Sequence, residues 1–182
     1  MQKSKLSSVL FAEHTSLYAI IDAAKIEELT TNLLIYELEY RILFDGQDAM
    51  ELEEVAPYMV ELHENDLFSR WVMEEVYGND GAIFLQSRYD IDMLSSHFKS
   101  FLHVSREIAH PETGGPVIQE GILAYYDPRV LPEWLESVDE ERKRSFLSMS
   151  EKLFYEDMTD KSLVHEYATD GTRQYHVISE VV

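Results

Sequence analysis

The chain has no cysteine, which excludes disulfide bonds, thiolate metal ligands and cysteine nucleophiles and is typical of proteins from reducing compartments. Basic residues are also scarce: 15 lysines and arginines stand against 35 aspartates and glutamates, for a formal net charge of −20. So acidic a surface repels nucleic-acid phosphates and anionic lipid headgroups, and we expect neither nucleic acid nor a membrane as a partner. The partners that it would attract are basic polypeptides or cations.

Long apolar runs are missing as well, since nothing approaches the roughly 18 residues that a membrane-spanning helix needs. The N-terminal stretch Met1–His14 has two lysines and a short apolar run, but Glu13 interrupts that run and no small-residue cleavage site follows. The sequence therefore predicts neither a membrane span nor a signal peptide, and we expect a cytoplasmic protein.

Recognisable catalytic motifs are absent too. The Gly114-Gly115 pair lies in a loop before a strand, not between a strand and a helix, so it does not predict a phosphate-binding loop. No G-x-S-x-G or H-E-x-x-H sequence occurs, and paired acids carry little information in a chain with 35 of them. We therefore expect a protein that is not an enzyme and that holds no cofactor and no metal.

The remaining composition is typical of a folded protein. Apolar residues make up 45% of the chain and aromatic residues 12%, and 182 residues suit one domain. We predict a single domain over 1–182. It comprises an α/β core over 12–131 and a small C-terminal lobe of short helices and a β-hairpin over 132–182.

Short apolar runs alternate with helical periods, which predicts the α/β class with a mixed β-sheet of about five or more strands and flanking helices. The predicted strands of the core are Leu17–Asp22, Val55–Leu62, Gly81–Arg88 and Val117–Asp127. The first predicted helix is Lys25–Phe44, buried on more than one side. Asn65 and Asp90 are the predicted N-caps of two further helices, and Gly78 ends the first of these. His110–Pro116 is the clearest loop.

The C-terminal lobe begins with a helix signal. Asp127 can accept backbone N–H bonds as an N-cap, and Pro128 fits the first helical position. A further short helix is predicted after Asp139, and three strand-like segments follow it. These short helices and strands make up the small C-terminal lobe.

The last two strands flank Asp170-Gly171, a strong hairpin signal. Counting outward from that turn places His165 directly opposite His176, close enough for two imidazoles to share a metal. A zinc site needs third and fourth ligands, which the pattern does not supply on that face. We interpret the two histidines as a stacked pair and assign no site to them.

The segment Gly121–Leu131, GILAYYDPRVL, resembles the most recognisable motif of the type VI secretion effector-chaperone family, an apolar strand ending in Tyr-Asp-Pro-Arg-Val-Leu. LYAIIDAA from Leu17, APYMVEL from Ala56, the spacing of Trp71 and Gly78, and the strand and helix from Gly81 are similar to the family in order and register. The resemblance runs from about Leu17 to Asp157.

The chain departs from the family pattern in three places. Ala124 stands where the family commonly has an arginine, and Phe146-Leu147-Ser148 stands where Phe-Gly-Pro is common. Many members also extend into a larger helical C-terminal lobe, whereas this chain has the hairpin. Because effector choice resides partly in that lobe, the resemblance does not identify the effector.

The resemblance implies a non-catalytic chaperone-adaptor, which holds a secreted toxin effector in the bacterial cytoplasm and loads it onto the VgrG spike. The residues that we assign to partner contact are Tyr58, Trp71, Tyr126, Asp127 and Arg129. Each has a structural alternative, such as a helix cap for Asp127 or a core position for Trp71. We expect sheet alternation to place Tyr125 and Tyr126 on opposite faces.

Two other function classes stay open. An acidic immunity-type inhibitor that binds and neutralises a basic toxin suits the composition equally well. A hydrolase or metalloprotein that uses the histidines has less support. The oligomeric state is unknown from the sequence.

Overall fold

The computed structural model describes residues 5–12, 15–46, 51–109, 114–169 and 174–181. The described strands are Ser16–Asp22 (β1), Tyr40–Ile42 (β2), Pro57–Leu62 (β3), Ala82–Ser87 (β4), His103–Ala109 (β5), Pro116–Ile122 (β6), Lys152–Glu156 (β7), Leu163–Thr169 (β8) and Gln174–Glu180 (β9). The described α-helices are Lys5–Leu10 (α1), Leu29–Ile35 (α2), Leu67–Trp71 (α3), Ile91–Lys99 (α4), Leu131–Ser137 (α5) and Glu140–Leu147 (α6). A 3₁₀ turn spans Glu53–Val55, and α3 continues as a π-helical turn over Val72–Val76. No helix among these residues is both long and apolar enough to cross a bilayer.

The main sheet has the strand order β2-β3-β1-β4-β7-β8-β9. The α/β class, a sheet of more than five strands and the C-terminal β-hairpin are thus confirmed. The pairings in the described part of the chain are all antiparallel, so the sheet is not of mixed direction. Short links such as that between β7 and β8 can join only antiparallel neighbours, which favours this arrangement.

The central strands of the sheet lie close to where the sequence predicts them. The predicted strand Leu17–Asp22 is β1, which lies between β3 and β4 and is buried along nearly its whole length. Pro57 is the first residue of β3, where a missing N–H does least harm to the strand ladder. The predicted strand Gly81–Arg88 is β4, whose six residues are all buried.

The predicted helix Lys25–Phe44 is wrong before Leu29 and beyond Ile35. Tyr40–Ile42 of the predicted helix is the strand β2, and α2 ends in a Schellman motif. The N–H of Leu38 donates to the carbonyl of Leu33 (3.1 Å), and the N–H of Glu37 donates to that of Leu34 (3.2 Å). Glu37 takes the left-handed conformation usual for glycine, with φ 51°. The apolar periodicity continued past this residue, but a terminal bond pattern that needs no glycine ended the helix.

The predicted strand Val117–Asp127 is also too long. It ends at Ile122 as β6, which pairs with β5 in a separate two-stranded ribbon. The sequence pattern did not predict the strand β5. Tyr125 and Tyr126 follow in a turn and are both buried, so their predicted alternation across a sheet is wrong.

The helix caps agree with the sequence in part. Asp90 caps α4 by accepting from the N–H of Met93 (2.8 Å), as predicted. Asp66 rather than Asn65 caps α3, because Asn65 has φ 70° and Asp66 has the extended backbone of an N-cap. Gly78 has φ 91° and lies just after the π-helical turn, in keeping with its predicted terminating role.

The β8–β9 hairpin is confirmed with a different register. Thr169 pairs with Gln174 and Tyr167 with His176, so His165 lies opposite Ile178 and not opposite His176. The loop between the strands is therefore longer than a two-residue turn. The predicted turn Asp170-Gly171 lies outside the described residues, as do the first four residues of the predicted loop His110–Pro116.

Buried apolar side chains form a core cluster on both faces of the sheet. Its densest part is a group of aromatic rings around Phe146, which is fully buried. The ring of Phe146 lies 4.7–5.3 Å from those of its nearest aromatic neighbours, namely Phe98, Phe101, Tyr125 and Trp134. This group ties α4, α5 and α6 to the turn that carries the YYDPR segment.

Candidate partner-binding site

Two of the residues assigned to partner contact meet at one open depression in the surface. Trp71 and Arg129 line it, and Asp127 lies beside it in contact with Arg129. The depression has a volume of about 670 Å³. Its lining residues are Lys25, Ile26, Glu27, Glu28, Trp71, Glu75, Asn79, Asp80 and Arg129.

Lys25 reaches the depression from the turn after β1. Asp22 shapes that turn by accepting from the N–H of Ala24 at 3.0 Å, and the N–H of Lys25 donates to the carbonyl of Asp22. The Lys25 ammonium donates to the carbonyl of Asp80 and pairs with the Asp127 carboxylate, both at 2.9 Å. Burial raises the pKa of the Asp22 carboxyl.

Asp127 lies in the YYDPR segment and pairs with two cations. It is only 6% exposed, and its carboxylate accepts from the backbone N–H (2.8 Å) and the guanidinium of Arg129 (2.8 Å at the shortest) as well as from Lys25. Burial acts to raise the pKa of Asp127, but the hydrogen bonds from Arg129 and Lys25 outweigh it and lower that pKa to about 2. The charge of Asp127 thus holds the YYDPR turn to the turn after β1, while the regular helix α5 begins only at Leu131.

Trp71 enters the depression from α3. Glu75, in the π-helical turn, and Asn79, just after it, line the depression together with Trp71. The N–H of Tyr77 donates to the carbonyl of Val72 at 3.0 Å, the wider spacing of a π-helical turn, just after Trp71. Such turns occur frequently at functional sites.

A second ionic group lies next to the first. Lys161 pairs with Asp80 at 2.5 Å and with Glu156 at 3.0 Å. Glu156, at the end of β7, is 1% exposed, and burial raises its pKa. Sequence reasoning missed Lys25, Asp80, Glu156 and Lys161, because no local spacing connects residues that only the sheet brings together.

The two ionic groups cancel in charge. Asp127 with its two cations is net positive by one, and Lys161 with its two carboxylates is net negative by one. Glu27, Glu28 and Glu75 remain on the rim, exposed and without an ion pair in the described part of the chain. The depression therefore presents negative charge around an indole.

The other two assigned residues are less accessible. Tyr126 is 7% exposed, and burial raises its pKa to about 12. Tyr58 is 1% exposed in β3, where its hydroxyl donates to the carbonyl of Glu53 at 3.1 Å. Burial raises the pKa of Tyr58 to about 12 as well. Tyr58 does not line the depression, and partner contact by either tyrosine stays a prediction.

The two histidines do come together, diagonally across the hairpin. Nδ1 of His165 lies 2.8 Å from Nε2 of His176, and Nε2 of His165 lies 2.7 Å from Asp157. The imidazoles stack at 4.9 Å between the rings of Tyr155 and Tyr167. The facing nitrogens thus lie within hydrogen-bonding distance of each other. Within the ranges that the structure describes, no three metal-ligating side chains cluster.

Comparison with known proteins gives one match. A family model described as "Domain of unknown function (DUF4123)" matches residues 17–145, about seven tenths of the chain. No curated protein and no solved structure matches the chain.

Proposed function

Because this chain belongs to the family described as a domain of unknown function (DUF4123), we propose that the type VI secretion chaperone resemblance reflects its function. The protein is a non-catalytic chaperone-adaptor. It binds a toxic effector in the bacterial cytoplasm and loads that effector onto the VgrG spike. It uses no cofactor.

The observation that carries this proposal is the extent of the family match. Residues 17–145 include the whole of the Gly121–Leu131 motif, Leu17–Asp22 of the strand β1 and the Trp71–Gly78 segment, which are the parts that resemble effector chaperones. The structure adds that Asp127 and Arg129 of that motif are held in fixed positions at an open surface.

The shape of this surface suits a protein partner better than a small substrate. The depression is open to solvent, and its lining combines the Trp71 indole and the Ile26 side chain with several carboxylates. Recognition sites for proteins likewise combine apolar and polar side chains. Tryptophan is also among the residues that most often dominate binding energy.

Co-expression with an effector encoded beside this gene tests the proposal. We expect the effector to be soluble and to co-purify with the chain, to become insoluble without it, and to reach VgrG only when the chain is present. Arg129→Glu should weaken the complex, whereas the matched change Arg88→Glu, on an arginine that is 72% exposed and pairs with Glu151, should not. An effector that stays soluble and loads normally without the chain would refute the proposal.

The net charge of −20 favours one rival, an immunity-type inhibitor of a basic toxin. The part of the toxin that is bound separates the two functions. An inhibitor covers the toxic domain and protects cells that express it, whereas an adaptor holds a segment outside that domain. Protection of cells by the chain alone would favour the inhibitor.

A further inference from the structure

Helices α2 and α3 contact each other. The ring of Tyr36, just after α2, packs 5.9 Å from that of Phe68 at the start of α3. Glu28, just before α2, and Trp71, at the end of α3, line the same depression. We call the exposed side chains of these two helices, together with this depression, the α2–α3 surface.

One end of the α2–α3 surface is apolar. Leu34 and Ile35 are 70% and 67% exposed, and Leu67 is 58% exposed. These are three of the four most exposed large apolar side chains in the described part of the chain. Exposed apolar side chains that lie together, unlike single ones, mark sites where another protein binds.

The other end is acidic. Glu27, Glu28 and Glu75 surround the depression at Trp71, while Lys25 and Arg129 are bound to Asp127 and so do not neutralise them. A cation placed here would face both the carboxylates and the indole ring, which attracts cations through its π-electrons. Leu67 lies one helical turn before Trp71 on the same helix, so the apolar end and the acidic end adjoin.

We propose that the α2–α3 surface binds a short segment of the effector with apolar side chains at one end and a lysine or arginine at the other. This rests on the proposed function. The seven residues of α2 span about 10 Å, so the two parts of the segment are about seven residues apart in a helix or three in an extended strand. A second copy of this chain is a poor occupant, because each copy carries a net charge of −20 and the two would repel.

Paired variants of the chain test the surface against the purified effector. Leu34→Ser with Ile35→Ser removes the apolar end, and Glu27→Lys with Glu75→Lys reverses the acidic end. The control pairs are Ile118→Ser with Ile122→Ser and Glu107→Lys with Glu120→Lys, which make the same changes at exposed positions of the β5–β6 ribbon.

We expect each test pair to weaken the effector complex about tenfold or more, measured by calorimetry, and each control pair to change it less than about threefold. The Glu27/Glu75 pair should also flatten the dependence of affinity on salt. Thermal unfolding of every variant should match wild type, because all these side chains are exposed.

A photo-crosslinking residue at Ile35 identifies the bound segment. The crosslinked effector peptide should contain apolar residues and a lysine or arginine at the spacing given above, and the same residue at Ile118 should not capture it. Two results would refute the proposal that the α2–α3 surface binds the effector and leave the adaptor function standing. One is that the test pairs bind the effector as tightly as wild type does, and the other is that the captured segment is acidic. If wild type itself does not bind the effector, both proposals fail.

Discussion

Replacement of Asp127 by asparagine tests whether this residue pins the YYDPR turn to the sheet. The substitution keeps the shape and one acceptor for the N–H of Arg129 but removes the charge that holds Arg129 and Lys25. The sheet and the aromatic core do not depend on that charge. We therefore expect a variant that folds with reduced stability at neutral pH.

The magnitude follows from the pKa of Asp127, which falls from 3.8 to about 2 on folding. Since a tenfold change in proton affinity corresponds to about 1.4 kcal/mol, this fall sets an upper limit of about 2.5 kcal/mol. Arg129 is 51% exposed, so water screens part of the pair. We expect Asp127→Asn to lower the free energy of unfolding by about 1–2 kcal/mol at pH 7.

The pH dependence has a definite sign. Because folding lowers the pKa, the charged carboxylate stabilises the folded state fully above the unfolded pKa, and that contribution disappears as the pH falls through the folded value. The difference between wild type and Asp127→Asn should therefore shrink to about half at pH 3.

Urea denaturation at pH 7 and pH 3 measures both quantities, and both conditions lie away from the isoelectric point near 4.5. Asp45→Asn is the matched control, since Asp45 pairs with Lys99 at 2.7 Å but is 64% exposed and should contribute less than about 0.5 kcal/mol. A loss below about 0.5 kcal/mol for Asp127→Asn at pH 7, or one that grows toward pH 3, would refute the reasoning.

Three further predictions concern the rest of the fold. Glu37→Gly should stabilise the protein by about 0.5–1 kcal/mol in urea denaturation, because glycine adopts the positive φ at the end of α2 without strain; a loss of stability would contradict this. Phe146→Ala should cost about 3–5 kcal/mol in the same assay, against less than about 0.5 kcal/mol for Met158→Ala at an exposed site; similar losses for the two would show that the aromatic cluster is not a rigid core. Burial, and after it the neighbouring His165, lower the pKa of His176. We expect an NMR titration to give a pKa below 6.5 for His176 and a higher pKa in His165→Gln. A pKa above 6.5 in the wild type would contradict the stacked arrangement.

The central strands of the main sheet were predictable because burial on both faces leaves an uninterrupted apolar run, whereas the edge strand β2 lies inside a predicted helix. Leu17–Asp22 and Gly81–Arg88 are examples, and their structural counterparts β1 and β4 adjoin at the centre of the sheet. The end of α2 was not predictable in the same way. Its apolar period continues through Ile42, and the Schellman motif at Glu37 carries no glycine to mark it.

The ribbon β5–β6 shows a different limit. The strand β5 was missed because none of its side chains that the structure describes is buried, so the apolar alternation that marks a half-buried strand is weak there. The register of the C-terminal hairpin failed for a related reason, since a longer loop replaced the two-residue turn. His165 and His176 still meet because a register change of two residues keeps both side chains on one face.

The candidate site was predictable only in the part that lies on one motif. Asp127 and Arg129 are two residues apart and were found by resemblance, and Trp71 by its spacing to Gly78. Their assembly with Lys25 and Asp80 depends on the pairing of β1 with β4, which brings the turn after Asp22 next to the residues before β4. A local sequence pattern does not indicate such a contact between distant segments.

The affinity of the purified chain for its purified effector, measured at low and at moderate salt, tests the central claim most directly. The account predicts a complex with a dissociation constant of about 1 µM or tighter, no chemical change in either protein, and weaker binding as salt rises. No complex at about ten times that concentration, or turnover of a small molecule by the chain alone, would contradict it.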